Sequence, residues 1–141
     1  MAADQFQASF RIYSQTHTAA EVTLRLGLTP SRSHEAGDQI RSRNPVPRYW
    51  DGSMWSLSSR RDQSEPLEQH LAEVLDQLAG KEGVLTELAA SYEMDWFCLV
   101  GAEGSQGSVE LSRAVLARLV TLPGDLILDL YVSGESSELS P

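Results

Sequence analysis

The stretch EMDWFCLVGA, Glu93 to Ala102, decides the fold. Laid out as extended backbone, it alternates Met94, Trp96, Cys98 and Val100 on one face with Asp95, Phe97 and Leu99 on the other. Both faces are largely apolar, the mark of a strand held inside a sheet. The first and last strands read differently. In QFQASFRIY, Phe6, Ala8, Phe10 and Ile12 oppose Gln7, Ser9, Arg11 and Tyr13, and in DLILDLYVS, Leu126, Leu128, Leu130 and Val132 oppose Ile127, Asp129, Tyr131 and Ser133. A doubly wound parallel sheet requires strands that are apolar on both faces, which these are not. The pattern predicts an α+β fold: a mixed or antiparallel sheet of four or five strands with helices packed mainly on one face, a ferredoxin-like sandwich.

The helices follow from local punctuation. In THTAAEVTLRLGLTP the alternation of Val22, Leu24, Leu26 and Leu28 favours a strand. A Thr18/Glu21 capping box, Gly27 and Pro30 instead favour a short helix over Ala19 to Leu26, and three stop and start signals outweigh one period. SEPLEQHLAEVLDQLAG is the clearest helix, with Leu67, Leu71, Val74, Leu75 and Leu78 on one stripe, Pro66 in the first turn and Gly80 at the end. KEGVLTELAAS adds a helical piece presenting Val84, Leu85 and Leu88, and Ser112 can cap RAVLARLV. SMWSLSS reads as a short strand with Trp55 and Leu57 on one face, and Asp51-Gly52 before it permits a hairpin with the preceding segment. Residues 1–133 read as one α+β domain and 134–141 as a polar, acidic, disordered tail.

At 141 residues one domain is expected, with roughly 68–70% of the unfolded chain's surface buried on folding. A single cysteine excludes an intramolecular disulfide and a cysteine-rich metal site. The N-terminus lacks a secretory pattern, and the longest apolar run, Trp96 to Ala102, is too short to cross a bilayer, so the chain reads as cytoplasmic with no membrane partner. The net charge of −9 is unevenly spread: residues 31–61 carry six arginines against Glu35, Asp38 and Asp51, whereas residues 62–141 carry three cations against fifteen acids. That balance disfavours nucleic acid as a partner, although Arg32, Arg41, Arg43 and Arg48 beside Tyr49 and Trp50 would be the place to look for it.

Catalytic signatures are weak. Cys98 lies in an apolar strand with no cationic neighbour in sequence, where a thiol is inert and its pKa raised. His17, His34 and His70 share no metal-binding spacing, and neither a metal nor a cofactor is expected. His70 is expected beside the leucine face of an exposed helix. Gly101, Gly104 and Gly107 follow a strand and precede a helix, but match neither the dinucleotide nor the P-loop pattern, and Glu103 would repel phosphate. Ser105 lacks the nucleophile-elbow context, and Glu68, Glu73 and Asp76 read as a solvated helix face.

One constellation remains. If helices cover the face bearing Phe6, Phe10, Leu128 and Leu130, the opposite face shows Arg11, Tyr13, Ile127, Asp129 and Tyr131, with Asp95, Phe97 and Leu99 of the central strand, too apolar to stay bare and too charged for ordinary core. The arginine-rich segment is long enough to drape over it. Arg11, Tyr13, Asp129 and Tyr131, with Arg48, Trp50 and Trp55 from that segment and the strand after it, are the candidate ligand- or partner-binding residues.

The succession LGLTPS, GD, WSLSS, a leucine helix, an ELS-started helix and a closing DLY resembles the bacterial family known as domain of unknown function 4279, over roughly Phe6 to Val132. The matching positions are Leu26, Gly27, Pro30, Gly37, Asp38, Trp55, Leu57, Ser58, Asp129 and Tyr131, and the resemblance implies no settled chemistry. The expected function is therefore a non-catalytic protein-interaction module, of which an immunity-type inhibitor is one form, with a protein partner or a second copy more expected than a small molecule. The alternative is a ligand-binding protein or enzyme with a pocket between the open sheet face and the arginine-rich loop.

Overall fold

Strand β1 (Gln5–Ser14) runs through the middle of the sheet, although only one of its faces is an apolar row. On one side it pairs antiparallel with β3 (Ser53–Ser58), and on the other with β4 (Glu93–Glu103) over nine residue pairs, Gln5 with Gly101 through Tyr13 with Glu93. The computed structural model describes residues 5–103 and 108–133, with the backbone alone described at 102, 103, 132 and 133. A three-residue strand, β2 (Arg32–His34), pairs antiparallel with β3, and β5 (Asp125–Ser133) pairs parallel with β4. The spatial order is β2-β3-β1-β4-β5.

Among the described residues four helices complete the fold: α1 (Ala19–Leu26), α2 (Leu67–Leu78), α3 (Glu82–Leu88) and α4 (Arg113–Leu119). The sequence β1-α1-β2-β3-α2/α3-β4, with β3 slotted between β1 and β2, is the split βαβ arrangement of ferredoxin-like folds. The parallel α4-β5 unit extends it by one strand. The expected α+β sandwich with a mixed sheet is therefore the observed one.

Helix α1 spans the residues its caps predict. Thr18 Oγ1 accepts from the Glu21 amide, and Gly27 closes the helix at φ 70°, a left-handed conformation open to glycine at little cost. Ser112 caps α4 by accepting from the Val115 amide. Helix α2 packs across β1 and α1 across β3. They bury Phe6, Phe10, Ile12, Trp55, Trp96 and Cys98 with the leucines of α2. Burial pushes the Cys98 thiol up to about 12, far from the range in which it would act as a nucleophile. At the start of β3, a Cβ on Gly52 would lie 2.6 Å from the Ser14 carbonyl oxygen, so the close approach of the β1 end to the β3 start depends on glycine there.

Four expectations change. His70 is buried, not set beside an exposed leucine face: it is 1% exposed, and its Nδ1 shares a 2.7 Å hydrogen bond with Ser59 Oγ, which also accepts from the Ala8 amide. The carboxylates of α2 are tied and not freely solvated: Glu68 and Glu73 are half-buried and Asp76 is exposed. Glu73 accepts from the Arg60 amide, Glu68 from the Ser112 amide, and Asp76 pairs with Arg118 at 2.8 Å. The helices do not reach β5: Leu128 and Leu130 are 42% and 65% exposed, because α4 packs on α2 and leaves this strand uncovered. Finally, the arginine-rich segment forms its own narrow hairpin beyond β2 and does not drape across the sheet. Gly37 N donates to Trp50 O, Trp50 N to Asp38 O and Ile40 N to Arg48 O, and Gln39 bridges to Tyr49. Among the described residues no helix is long and apolar enough to cross a membrane.

Candidate functional site

Two regions of the sheet concentrate unusual side chains. The first lies on the face away from the helices, where register sets Arg11 beside Asp95 on the neighbouring strand. Arg11 Nε donates to Asp95 Oδ1 at 2.7 Å and Nη2 to Oδ2 at 2.8 Å, a bidentate fork. The Tyr13 hydroxyl donates to the same Oδ2 at 2.8 Å. The Asp95 side chain is 4% exposed and that of Arg11 28%, so the pair is largely withdrawn from water. The guanidinium carbon sits 4.4 Å from the Phe97 ring centroid, a cation–π position.

These contacts shift titrations. Arg11 is held above its ordinary range, first through its bonds to Asp95, against the opposing effect of burial. Burial and then the bond to Asp95 push the Tyr13 phenol up to about 12. Because the folded state raises this pKa above the free value, the neutral phenol is favoured by folding. Its contribution is complete below about pH 10 and is lost as pH rises towards 12. Ultraviolet titration of wild type against Tyr13→Phe is expected to show one phenolate transition missing from the high-pH end in the variant, and alkaline destabilisation of wild type should be the steeper of the two. A difference spectrum centred near pH 10 would contradict this placement.

The arginine-rich segment meets this region chiefly through Trp50, with His34 and Asp51 beside it. Trp50 stacks on His34, with centroids 3.9 Å apart and planes 8° from parallel, and its indole borders the same clefts as Arg11 and Met54. Glu35 anchors the segment by accepting from the Ala19 and Ala20 amides at the start of α1, and Asp38 accepts from the Glu35 amide. Thus Arg11, Tyr13 and Trp50 come together. Arg48 is exposed on the outer arm of the hairpin. Trp55 belongs to the core: it is fully enclosed, with its Nε1 donating to Thr23 Oγ1 at 2.9 Å.

Asp129 and Tyr131 lie on β5, two strands from Arg11; the pairings Gln7-Leu99-Asp129 and Arg11-Asp95 place Asp129 on the order of 16 Å away. They belong to the second region, the β5 edge. Here Leu126, Ile127, Leu128, Leu130 and Tyr131 are each at least 39% exposed, on both faces of one strand. The Tyr131 ring rests against Gly101, where an added Cβ would sit 3.4 Å from its Cε2. Gly104, Ser105, Gly107 and the tail fall outside the described residues. Asp95, the residue that joins Arg11 to Tyr13, was legible in the sequence as a carboxylate on the same face, but its pairing with Arg11 was not, because that depends on the register of β1 against β4.

By fold the chain is a ferredoxin-like α+β sandwich extended by the α4-β5 unit. The family model for a domain of unknown function, DUF4279, matches residues 4–133, and the chain belongs to that family. No curated protein and no solved structure matches it. Several positions that carry the resemblance have structural duties: Leu26, Trp55 and Leu57 are core, and Gly27 and Gly37 hold positive φ.

Proposed function

We propose that the chain is a non-catalytic protein-interaction module that docks a cationic protein segment along the outer edge of β5. The observation carrying this reading is that edge itself. Among the described residues nothing pairs with it, and five of its large apolar side chains are exposed, whereas edge strands of soluble proteins are ordinarily short, covered or heavily charged. An added strand would take up the free backbone groups and cover the leucines. Asp125 and Asp129 alternate with Ile127 and Tyr131 on the open face. A segment with lysine or arginine at alternate positions would pair with them, each opposite-charge pair contributing about 0.2–1 kcal/mol. A second copy paired about Asp129 would bring like charges together, which favours a different protein. The chain's net charge of −9 speeds encounter with a basic partner. An inhibitor of the immunity type, covering a cationic site on a toxin, is one such module.

The test uses capture from native lysate by the wild-type chain and by Leu128→Asp/Leu130→Asp, read with hydrogen exchange on β5. Expected is one stoichiometric basic protein that protects the β5 amides and is lost with the variant, whose melting temperature stays close to wild type because both leucines are already exposed. Capture that survives the substitutions, or leaves β5 amides unprotected, overturns the reading. Light scattering that shows a wild-type dimer, dissolved by the same substitutions, would replace the basic partner with a second copy.

A further inference from the structure

The open face of β2, β3, β1 and β4 carries a groove of about 550 Å³ that the β5 edge does not share. Its floor is a row of hydroxyls and an amide: Ser56 and Ser58 on β3, Ser9 and Gln7 on β1. Phe97 and Leu99 form one apolar wall, and Met54 with the rim of Trp50 forms the other. Arg11, Arg32 and Arg60 border it, and among the described residues no carboxylate lines it, in a chain with twenty acids. The adjoining cleft at the other side of Trp50 carries Asp51 and Glu93.

The three arginines differ. Arg11 is neutralised by Asp95, whereas the side chains of Arg32 and Arg60 form no ion pair among the described residues. Arg32 is level with Ser56, and Arg60 lies four residues further along the chain, about 13 Å away, within joint reach of one small group bound over Ser58. Ser31 is already engaged, its Oγ accepting from the Ser58 amide, so its hydroxyl hydrogen is free to face the groove. Ser56 is 4% exposed, and its hydroxyl makes no hydrogen bond among the described residues. Uncompensated guanidinium groups flanking oriented hydroxyls select an oxyanion. Flat apolar walls beside them select an aromatic or similarly flat body.

We propose that this groove binds a small organic anion, with its carboxylate or phosphate between Arg32 and Arg60 and its flat apolar body between Phe97 and Trp50. The site is independent of the β5 edge. Trp50 is 40% exposed while Trp55 and Trp96 are buried, so tryptophan fluorescence reports the groove directly.

The probes are benzoate and phenyl phosphate, with inorganic phosphate and benzyl alcohol as single-feature controls, followed by Trp50 fluorescence and calorimetry on the full chain. At least one of the two aromatic anions is expected to saturate the protein and to bind about tenfold more tightly than either control, since each control lacks one of the two recognised features. Arg32→Gln and Arg60→Gln, both at exposed side chains and checked for unchanged melting, are each expected to weaken binding about tenfold. Leu128→Asp/Leu130→Asp should leave it unchanged, which separates this site from β5. Which aromatic anion binds more tightly identifies the head group. The proposal is overturned if neither aromatic anion saturates, if a control binds equally well, or if binding ignores the arginines or follows the β5 leucines.

Discussion

Replacing Arg11 with methionine is expected to lower the unfolding free energy by about 3 kcal/mol. Methionine keeps much of the stem that lies against Phe97, so the loss is not one of packing. It arises because the Asp95 carboxylate, 4% exposed, is left with the Tyr13 hydroxyl as its one side-chain partner. A carboxylate withdrawn from water and stripped of its counter-ion costs far more than an exposed pair contributes. The exposed pairs Arg25–Glu87 and Arg61–Glu65 set the contrast: either can be removed for about 1 kcal/mol or less. Arg11→Lys keeps the charge but not the fork and should fall between. The decisive comparison is Arg11→Met combined with Asp95→Leu, which removes both charges together and should recover most of the loss. Denaturant unfolding of the two single variants and the double variant measures the coupling. Equal losses for the single and double variants would mean that the ion pair has no such role.

The second large effect is expected at Trp55→Ala, about 3–5 kcal/mol. The indole is fully enclosed between β3 and α1, and its Nε1 bond to Thr23 is one of the polar ties between those elements. Trp55→Phe should cost less, since the ring space stays partly filled. Trp50→Ala removes a ring of the same size yet should cost only about 1 kcal/mol, the worth of its stacking on His34. Thermal unfolding of the three variants would show whether the two tryptophans divide between core and groove in this way. Comparable losses at positions 50 and 55 would contradict that division.

The division explains why Trp55 was legible as a strand residue but not as core. Its alternation with Leu57 was visible, and both proved to face the helices. Nothing in the alternation says which face of a strand the helices will choose; that depends on pairing with Ile12 and Phe10 across the ladder. The helices were easier. Thr18, Gly27 and Pro30 act within a turn of α1, so local chemistry was enough to place it. Strand β2 was hidden because three residues carry no period, and because Arg32, Ser33 and His34 are ordered by β3, not by their own preferences. At the site, Arg11, Tyr13 and Asp129 share the open face, but Asp129 lies two strands from the other two, and register delivers Asp95 to Arg11 in its place. Coverage was the other blind spot. Leu126, Leu128 and Leu130 alternate as a buried row should, yet the number of strands that the helices can span decides whether such a row is covered, and this sheet is one strand wider than its helical layer.

Strand β1, the first part of the domain to leave the ribosome, ends at the centre of the sheet between partners that begin at Ser53 and Glu93. During synthesis its apolar row must therefore wait, half-paired after β3 and complete only when β4 emerges some eighty residues after β1. Long-range pairing of this kind closes large loops before it is rewarded, and makes folding slow. The vulnerable moment in the life of this protein is thus the interval of its own translation, when Phe6, Phe10 and Ile12 are available to any neighbouring nascent chain.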